Sequence, residues 1–215
     1  MPITARDVIT RVRDTTLDNT EGGVRWLDDE LIRYINDASQ AIVQLKPSAH
    51  PVNTTMLMSP GTLQQAPQGA IVVIDVVRNV NGSSIRRIDR DVLDIGHPDW
   101  HLMNQQPSVR HYMLEAHDPT RFYVYPPSDG SGSINLIYSA EPPMVNSLDS
   151  TLPLAATYLN AYTDYVLYRA YSKDAEFAAN REQAGWYYQA FTQGLGVRMQ
   201  TERNAQGEDP TPGAP

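Results

Sequence analysis

Between Leu152 and Val197 the chain carries two helical periodicities separated by a short polar break, and the rest must fold around them. Tyr158, Tyr162, Tyr165 and Arg169 recur at steps of four, three and four. Leu159, Tyr162, Val166 and Ala170 keep the same 3.6-residue period. Beyond the break, Phe177, Ala184, Tyr188, Phe191 and Leu195 fall at steps of seven, four, three and four, a single narrow apolar seam. Pro153 suits the first turn of the first helix, where its missing N–H costs nothing. Ser172 or Asp174 suits the N-cap of the second, and Gly194 and Gly196 suit its end. The pattern predicts a helical hairpin.

The hairpin is rich in tyrosine. Each tyrosine ring is a large apolar surface with a hydroxyl that needs a partner or water. Five tyrosines between Tyr158 and Tyr171, followed by Trp186, Tyr187 and Tyr188, exceed what one seam can hide. One reading is a half-buried surface with solvated hydroxyls. The other is subunit contact, where Tyr and Trp are enriched, with Tyr158, Tyr162, Tyr168, Trp186 and Tyr187 as the candidate residues.

The N-terminal part adds two shorter helices. Thr4 can cap one carrying Val8, Ile9 and Val12 on one face. Asp14 to Gly23 then reads as a polar connection. After Trp26, the run DDELIRYINDASQAIVQL sets Leu27, Leu31, Ile35, Ala38 and Ile42 in a stripe and puts Asp28, Asp29 and Glu30 at the positive helix end. Pro47 stops it.

From Pro47 to about Pro143 prolines and glycines recur between short β-branched or aromatic runs. Thr54–Met58, Ala70–Val80, Ser84–Ile88, Arg110–Ala116, Arg121–Tyr125 and Ser133–Tyr138 are candidate strands, and Asn81–Gly82 signals a hairpin between two of them. Asp91–Ile95 reads as one helical turn. Neither helical pair can bury its apolar face alone. The expected fold is therefore α+β: a helical bundle built from N- and C-terminal helix pairs, with a small antiparallel β module inserted. The segments are 1–46 for the N-terminal helices, 47–150 for the β module, 151–198 for the hairpin and 199–215 for a polar extended tail, disordered by itself.

Composition narrows the chemistry. The 215 residues suffice for one good core or two small ones. A formal charge of −8 argues against a general nucleic-acid binder, though not against a wall past which nucleic acid slides. Without cysteine there is neither a disulfide nor a thiolate site. No run suggests a signal peptide or a membrane span. His97 and His101 stand four apart with Asp94 and Asp99 nearby, but HExxH is missing and no third ligand lies at a characteristic spacing. There is no GxSxG, and no glycine fingerprint follows Ala70–Val80. Paired carboxylates are available in any chain with 25 acidic residues and so specify nothing. The expectation is a protein without catalytic residues, metal or cofactor. Arg86, Arg87 and Arg90, with Arg78 near, form a local cation cluster that reads as a solvated strand face or as forks for a partner's carboxylates.

Several stretches, in order, carry a resemblance. Trp26-Leu27-Asp28-Asp29-Glu30-Leu31 leads into Tyr34-Ile35-Asn36-Asp37-Ala38. Asp75-Val76-Val77-Arg78-Asn79 and Pro98-Asp99-Trp100 follow, then Arg121-Phe122-Tyr123-Val124-Tyr125-Pro126-Pro127. The last is Asp164-Tyr165-Val166-Leu167-Tyr168-Arg169-Ala170-Tyr171-Ser172-Lys173-Asp174. Together they resemble the head-to-tail adaptor proteins of short-tailed bacteriophages.

The resemblance implies a structural virion protein, made in the host cytoplasm and placed at the head–tail junction. It implies a ring, commonly of twelve subunits, docked between the portal protein and the tail nozzle protein, with DNA passing through without specific binding and no membrane involved. The helices would pack side by side around the ring. The tail, with Arg198, Arg203, Glu208, Asp209, Pro210 and Pro212, would reach the portal. The β module, with Arg86, Arg87, Tyr125, Pro126 and Pro127, would face the nozzle. The rival readings are a phage peptidoglycan hydrolase, which needs a carboxylate pair in a cleft, and a stand-alone small-ligand module, which needs a closed apolar pocket.

Overall fold

The computed structural model describes residues 2–18, 25–173 and 178–206, with residues 202–206 as backbone only. The chain forms two compact units, Met1–Ala49 with Pro142–Pro215, and His50–Glu141.

The first unit is helical. Helix α1 (Ala5–Thr16) starts in a capping box: Thr4 Oγ1 accepts from the Asp7 N–H, and the Thr4 N–H donates to Asp7 Oδ2 at 2.8 Å. It ends at Leu17 in the left-handed conformation. Helix α2 (Asp28–Leu45) buries Leu31, Ile35, Ala38 and Ile42 as its period requires, whereas Leu27, expected in the same stripe, is its exposed N-cap residue. Its first turn holds three carboxylates in place of a side-chain cap. After the return segment, a 3₁₀ turn at Ala156–Tyr158 leads into α4 (Leu159–Lys173), so the helix begins well after Pro153. Helix α5 (Ala178–Gln206) runs through both Gly194 and Gly196, which do not end it. Phe177 and Asp174, expected in the seam and at the cap, lie outside the described residues.

The expected bundle of two terminal pairs is overturned. Helix α4 is the hub, contacting α1, α2 and α5, whereas α1 and α2 meet only lightly. Helix α5 packs on α4 and has at most marginal contact with α1 or α2 among the described residues. The reason lies in the apolar faces. On α4, Tyr162, Val166 and Ala170 are buried toward α2, and Arg169 and Lys173 beside them bridge to Asp37 at 2.7 Å and Glu30 at 2.8 Å. The narrow seam of α5, with Ala184, Phe191 and Leu195 buried, has width for one neighbour only.

The β region is likewise larger than a small antiparallel insert. The second unit holds seven strands in two sheets, together with helix α3 (Arg90–Gly96). Strands β1 (Pro51–Leu57), β7 (Ser133–Ala140) and β3 (Ala70–Asn79) form an antiparallel sheet in the order β1-β7-β3. Strands β2 (Gly61–Gln65), β6 (Arg121–Ser128), β5 (His111–Leu114) and β4 (Arg86–Arg87) form the other in that order, and β4 pairs parallel to β5. Between the sheets, Val73, Val76, Ile134 and Leu136 meet Tyr112, Phe122 and Val124. On the other face of the four-stranded sheet, Leu93 of α3 and Trp100 cover Met113, Tyr123 and Tyr125.

The turn at Asn81–Gly82 is present, with Asn81 at φ 60°. It does not join a full hairpin: β3 pairs with β7, and Ser84 reaches β3 only through a single bridge to Arg78.

Candidate functional site

The surface of α5 carries the most exposed aromatics of the helical unit. Trp186 is 65% exposed and Tyr188 46%, with Val197 further along at 68%. These rings continue inward as a ladder. Tyr187 stacks flat on Tyr171 at 5.7 Å, and Tyr188 meets Tyr168 at 5.0 Å. Phe191 meets Tyr165 edge-on at 5.1 Å. Ring–ring contacts of this kind order the surface and leave the outer faces of Trp186 and Tyr188 free.

The five hairpin residues singled out above divide. Tyr162 is fully buried, its hydroxyl 2.8 Å from Ser39 Oγ, and burial pushes that hydroxyl up to about 12. Tyr158 is also buried, with the cations of Lys46 and Arg198 over its ring at 5.3 and 5.1 Å. Tyr168 and Tyr187 are half-buried and Trp186 is exposed. The aromatic surface available to another molecule is therefore the α5 side.

Beside it lies a groove of about 380 Å³ between α4 and α5, lined by Asn160, Ala161, Asp164, Gly194, Val197 and Arg198 among others. Asp164 is half-buried with no hydrogen bond or ion pair among the described residues. Burial alone holds its carboxyl above the usual range. Tyr187 is raised by burial and then by the charges of Tyr171 and Asp164. Arg198, on the groove's rim, is turned away to the Thr157 carbonyl. Arg11 of α1 borders the groove through Asn160 Oδ1 at 3.1 Å. Nothing in the sequence marks Asp164 as unpaired, because its neighbours come from other helices.

Of the tail residues, Arg198 lies within α5, as does Arg203, while Glu208, Asp209, Pro210 and Pro212 lie outside the described residues. In the β unit, Arg86, His111 and Tyr125 stand in one row across β4, β5 and β6. The His111 ring stacks on Tyr125 at 6.2 Å, and its Nδ1 is buried without a partner among the described residues. Arg87 pairs with Tyr112, whose hydroxyl donates to Asp75 at 2.7 Å; burial first, then Asp75, raises that hydroxyl. Arg86 and Arg87 are exposed, Tyr125 is half-buried, and Pro126 and Pro127 are buried. The segment around His97 is used in packing. Trp100 Nε1 and Arg90 both donate to Asp94, and His101 stacks on Trp100 with Nδ1 2.9 Å from Thr62 Oγ1. No group of three metal-type ligands is found among the described residues.

The α5 face thus keeps exposed aromatics, and the edge strand β4 carries two exposed guanidinium groups. A family model described as SU10 adaptor protein matches residues 3–214. The chain belongs to this family. The adaptor is thus a structural protein of bacteriophage type, a component of the virion. No curated protein matches it. No described helix of the adaptor is long and apolar enough to cross a membrane.

Proposed function

We propose that the adaptor is a gasket: a ring of copies, twelve in the form that the resemblance implies, which joins the portal to the tail nozzle and lets DNA through its lumen. The observation that carries this reading is the face of α5. A helix that packs mainly on α4 among the described residues, and leaves Trp186 at 65% and Val197 at 68% exposure, has an unmatched side of the kind that subunit interfaces use.

Charge supports the passage of DNA. Twelve copies at −8 each would carry about −96, a field that keeps a phosphate backbone off the wall. Arg86 and Arg87, with Tyr125 beside them, serve as the nozzle-facing surface, since planar guanidinium forks suit a partner's carboxylates. Gly207–Pro215, a polar and proline-bearing sequence, serves as the portal anchor.

The test is negative-stain imaging and size-exclusion chromatography of the purified adaptor with and without the portal of the same phage. A ring on the portal is the expected result, and a chain that stays single beside the portal overturns the reading. Removal of Gly207–Pro215 should abolish docking; undiminished docking removes the tail from the scheme.

A further inference from the structure

The ions of the helical unit are mostly matched within the chain. Arg6 meets Asp149 at 2.7 Å, Arg13 meets Asp28 at 2.5 Å, and Arg169 and Lys173 meet Asp37 and Glu30. Asp14, Asp29 and Glu182 have no partner among the described residues, but they are exposed to water, where an isolated charge is inexpensive. Asp164 differs, because it is half-buried in a groove and has no partner among the described residues. Arg33 on α2 is the matching surplus. It is exposed and makes neither a hydrogen bond nor an ion pair among the described residues. Glu30, one turn earlier and near enough to feel its charge, is already held by Lys173 and Tyr34.

These two residues lie on different faces of the helical unit. On α2 the buried stripe is Leu31, Ile35, Ala38 and Ile42, and Glu30, Tyr34, Asp37 and Ser39 also reach α4; Arg33 lies past Asp37 on the exposed stripe with Asp29, Gln40 and Gln44. On α4 the side that meets α2 is Tyr162, Val166 and Arg169, and Asp164 falls about half a turn away, facing the groove. Arg33 and Asp164 do not meet inside one chain, whereas the exposed stripe of α2 in one copy can meet the α4–α5 groove of the next. Complementary patches on different faces of a subunit make a head-to-tail contact, which forms a ring when its rotation closes and does not make a two-fold dimer. The groove has the form for it. Ala161 and Gly194 keep its floor low, an added Cβ at Gly194 would meet nothing within 4 Å, and Val197 gives it an apolar rim.

We propose that the α4–α5 groove is the seat of a second copy of this chain, whose Arg33 enters it and forms an ion pair with Asp164. This deepens the ring reading and rests on it. The neighbour's guanidinium supplies the counter-charge that Asp164 lacks, and the pair sets the direction in which copies follow one another.

The experiment uses the full adaptor assembled on its portal. Arg33→Asp should weaken assembly about tenfold, as expected for loss of one interfacial ion pair and a new like-charge contact. Asp164→Lys on that background should restore it. Because a change at a half-buried site can disturb the fold, a second arm leaves Asp164 in place. Arg33→Lys protein, as an equal mixture of ordinary and ¹⁵N-labelled copies, is treated with a zero-length carbodiimide and digested. The expected product is a peptide of mixed isotope in which the new amine at the substituted position is joined to Asp164. If rings form on the portal and that peptide is missing, or joins only residues of one copy, the proposed seat is wrong while the ring reading stands. If no ring forms with the unsubstituted adaptor, it is the ring reading that has failed.

Discussion

The carboxamide of Asn36 closes a two-bond ring with the backbone of Val145, 109 residues away: Nδ2 donates to the Val145 carbonyl at 2.9 Å, and Oδ1 accepts from its N–H at 2.8 Å. Both residues are buried, so these bonds replace water on a stretch that has no strand or helix to satisfy it. Asn36→Ala leaves an N–H and a carbonyl unpaired in the interior. The expected cost is about 1–3 kcal/mol, read as a lower urea midpoint with unchanged slope.

Gly132 is a second fixed point. A Cβ there would lie 1.7 Å from the Pro107 carbonyl oxygen, a backbone atom that cannot step aside. Gly132→Ala should cost about 3 kcal/mol or more and loosen the two-sheet unit. Limited proteolysis should then cut within residues 50–141 while the helical unit persists. An unchanged digestion pattern would show that the loop yields.

The buried tyrosines make alkaline stability a readout of packing. Burial pushes Tyr162 up to about 12 from an ordinary 10.0. A group whose folded pKa lies above its unfolded one contributes stability that is whole below the unfolded value and is lost as pH rises toward the folded value. The helical unit should therefore weaken between about pH 10 and 12. Tyr162→Phe should cost about 0.5–1.5 kcal/mol at neutral pH through the lost Ser39 contact, yet move the alkaline midpoint upward. Absorbance and circular dichroism followed through the titration separate these effects.

The same rule applied to Asp164 makes its contribution at neutral pH unfavourable. Its carboxyl is raised by burial, so the stability tied to it is whole at acid pH and fades as pH rises through the folded value. At neutral pH the charged, unpaired group burdens the isolated chain. Asp164→Asn should raise the thermal midpoint of the isolated adaptor at neutral pH, with the gain vanishing in acid. The same substitution should weaken assembly on the portal. A stability gain without an assembly loss would detach Asp164 from any interface.

Trp186 tests the aromatic face without disturbing the core. Because the ring is 65% exposed, Trp186→Ser should change unfolding free energy by less than about 0.5 kcal/mol and still reduce ring formation on the portal. Unaltered rings would assign that surface another role.

What could be read from residues alone was local. Thr4 with Asp7 marks the start of α1, and the stripe Leu31, Ile35, Ala38 and Ile42 marks the buried face of α2, because a helix records its neighbours at three- and four-residue steps. Strand β2 carries no sequence signal because its GTLQQ run has no apolar alternation; its buried side chain, Gln64, bonds the Ser59 backbone instead. The excess of tyrosine was visible, but whether a ring went inward depended on distant partners such as Ser39 for Tyr162. Tertiary structure alone made α4 the hub and joined β3 to β7 past its nearer neighbour in sequence. Among the described residues it also left Asp164 without a counter-ion. Periodicity reports only the contacts within a turn or two, while strand pairing and ion pairing depend on which far-off surfaces the whole chain can bury together.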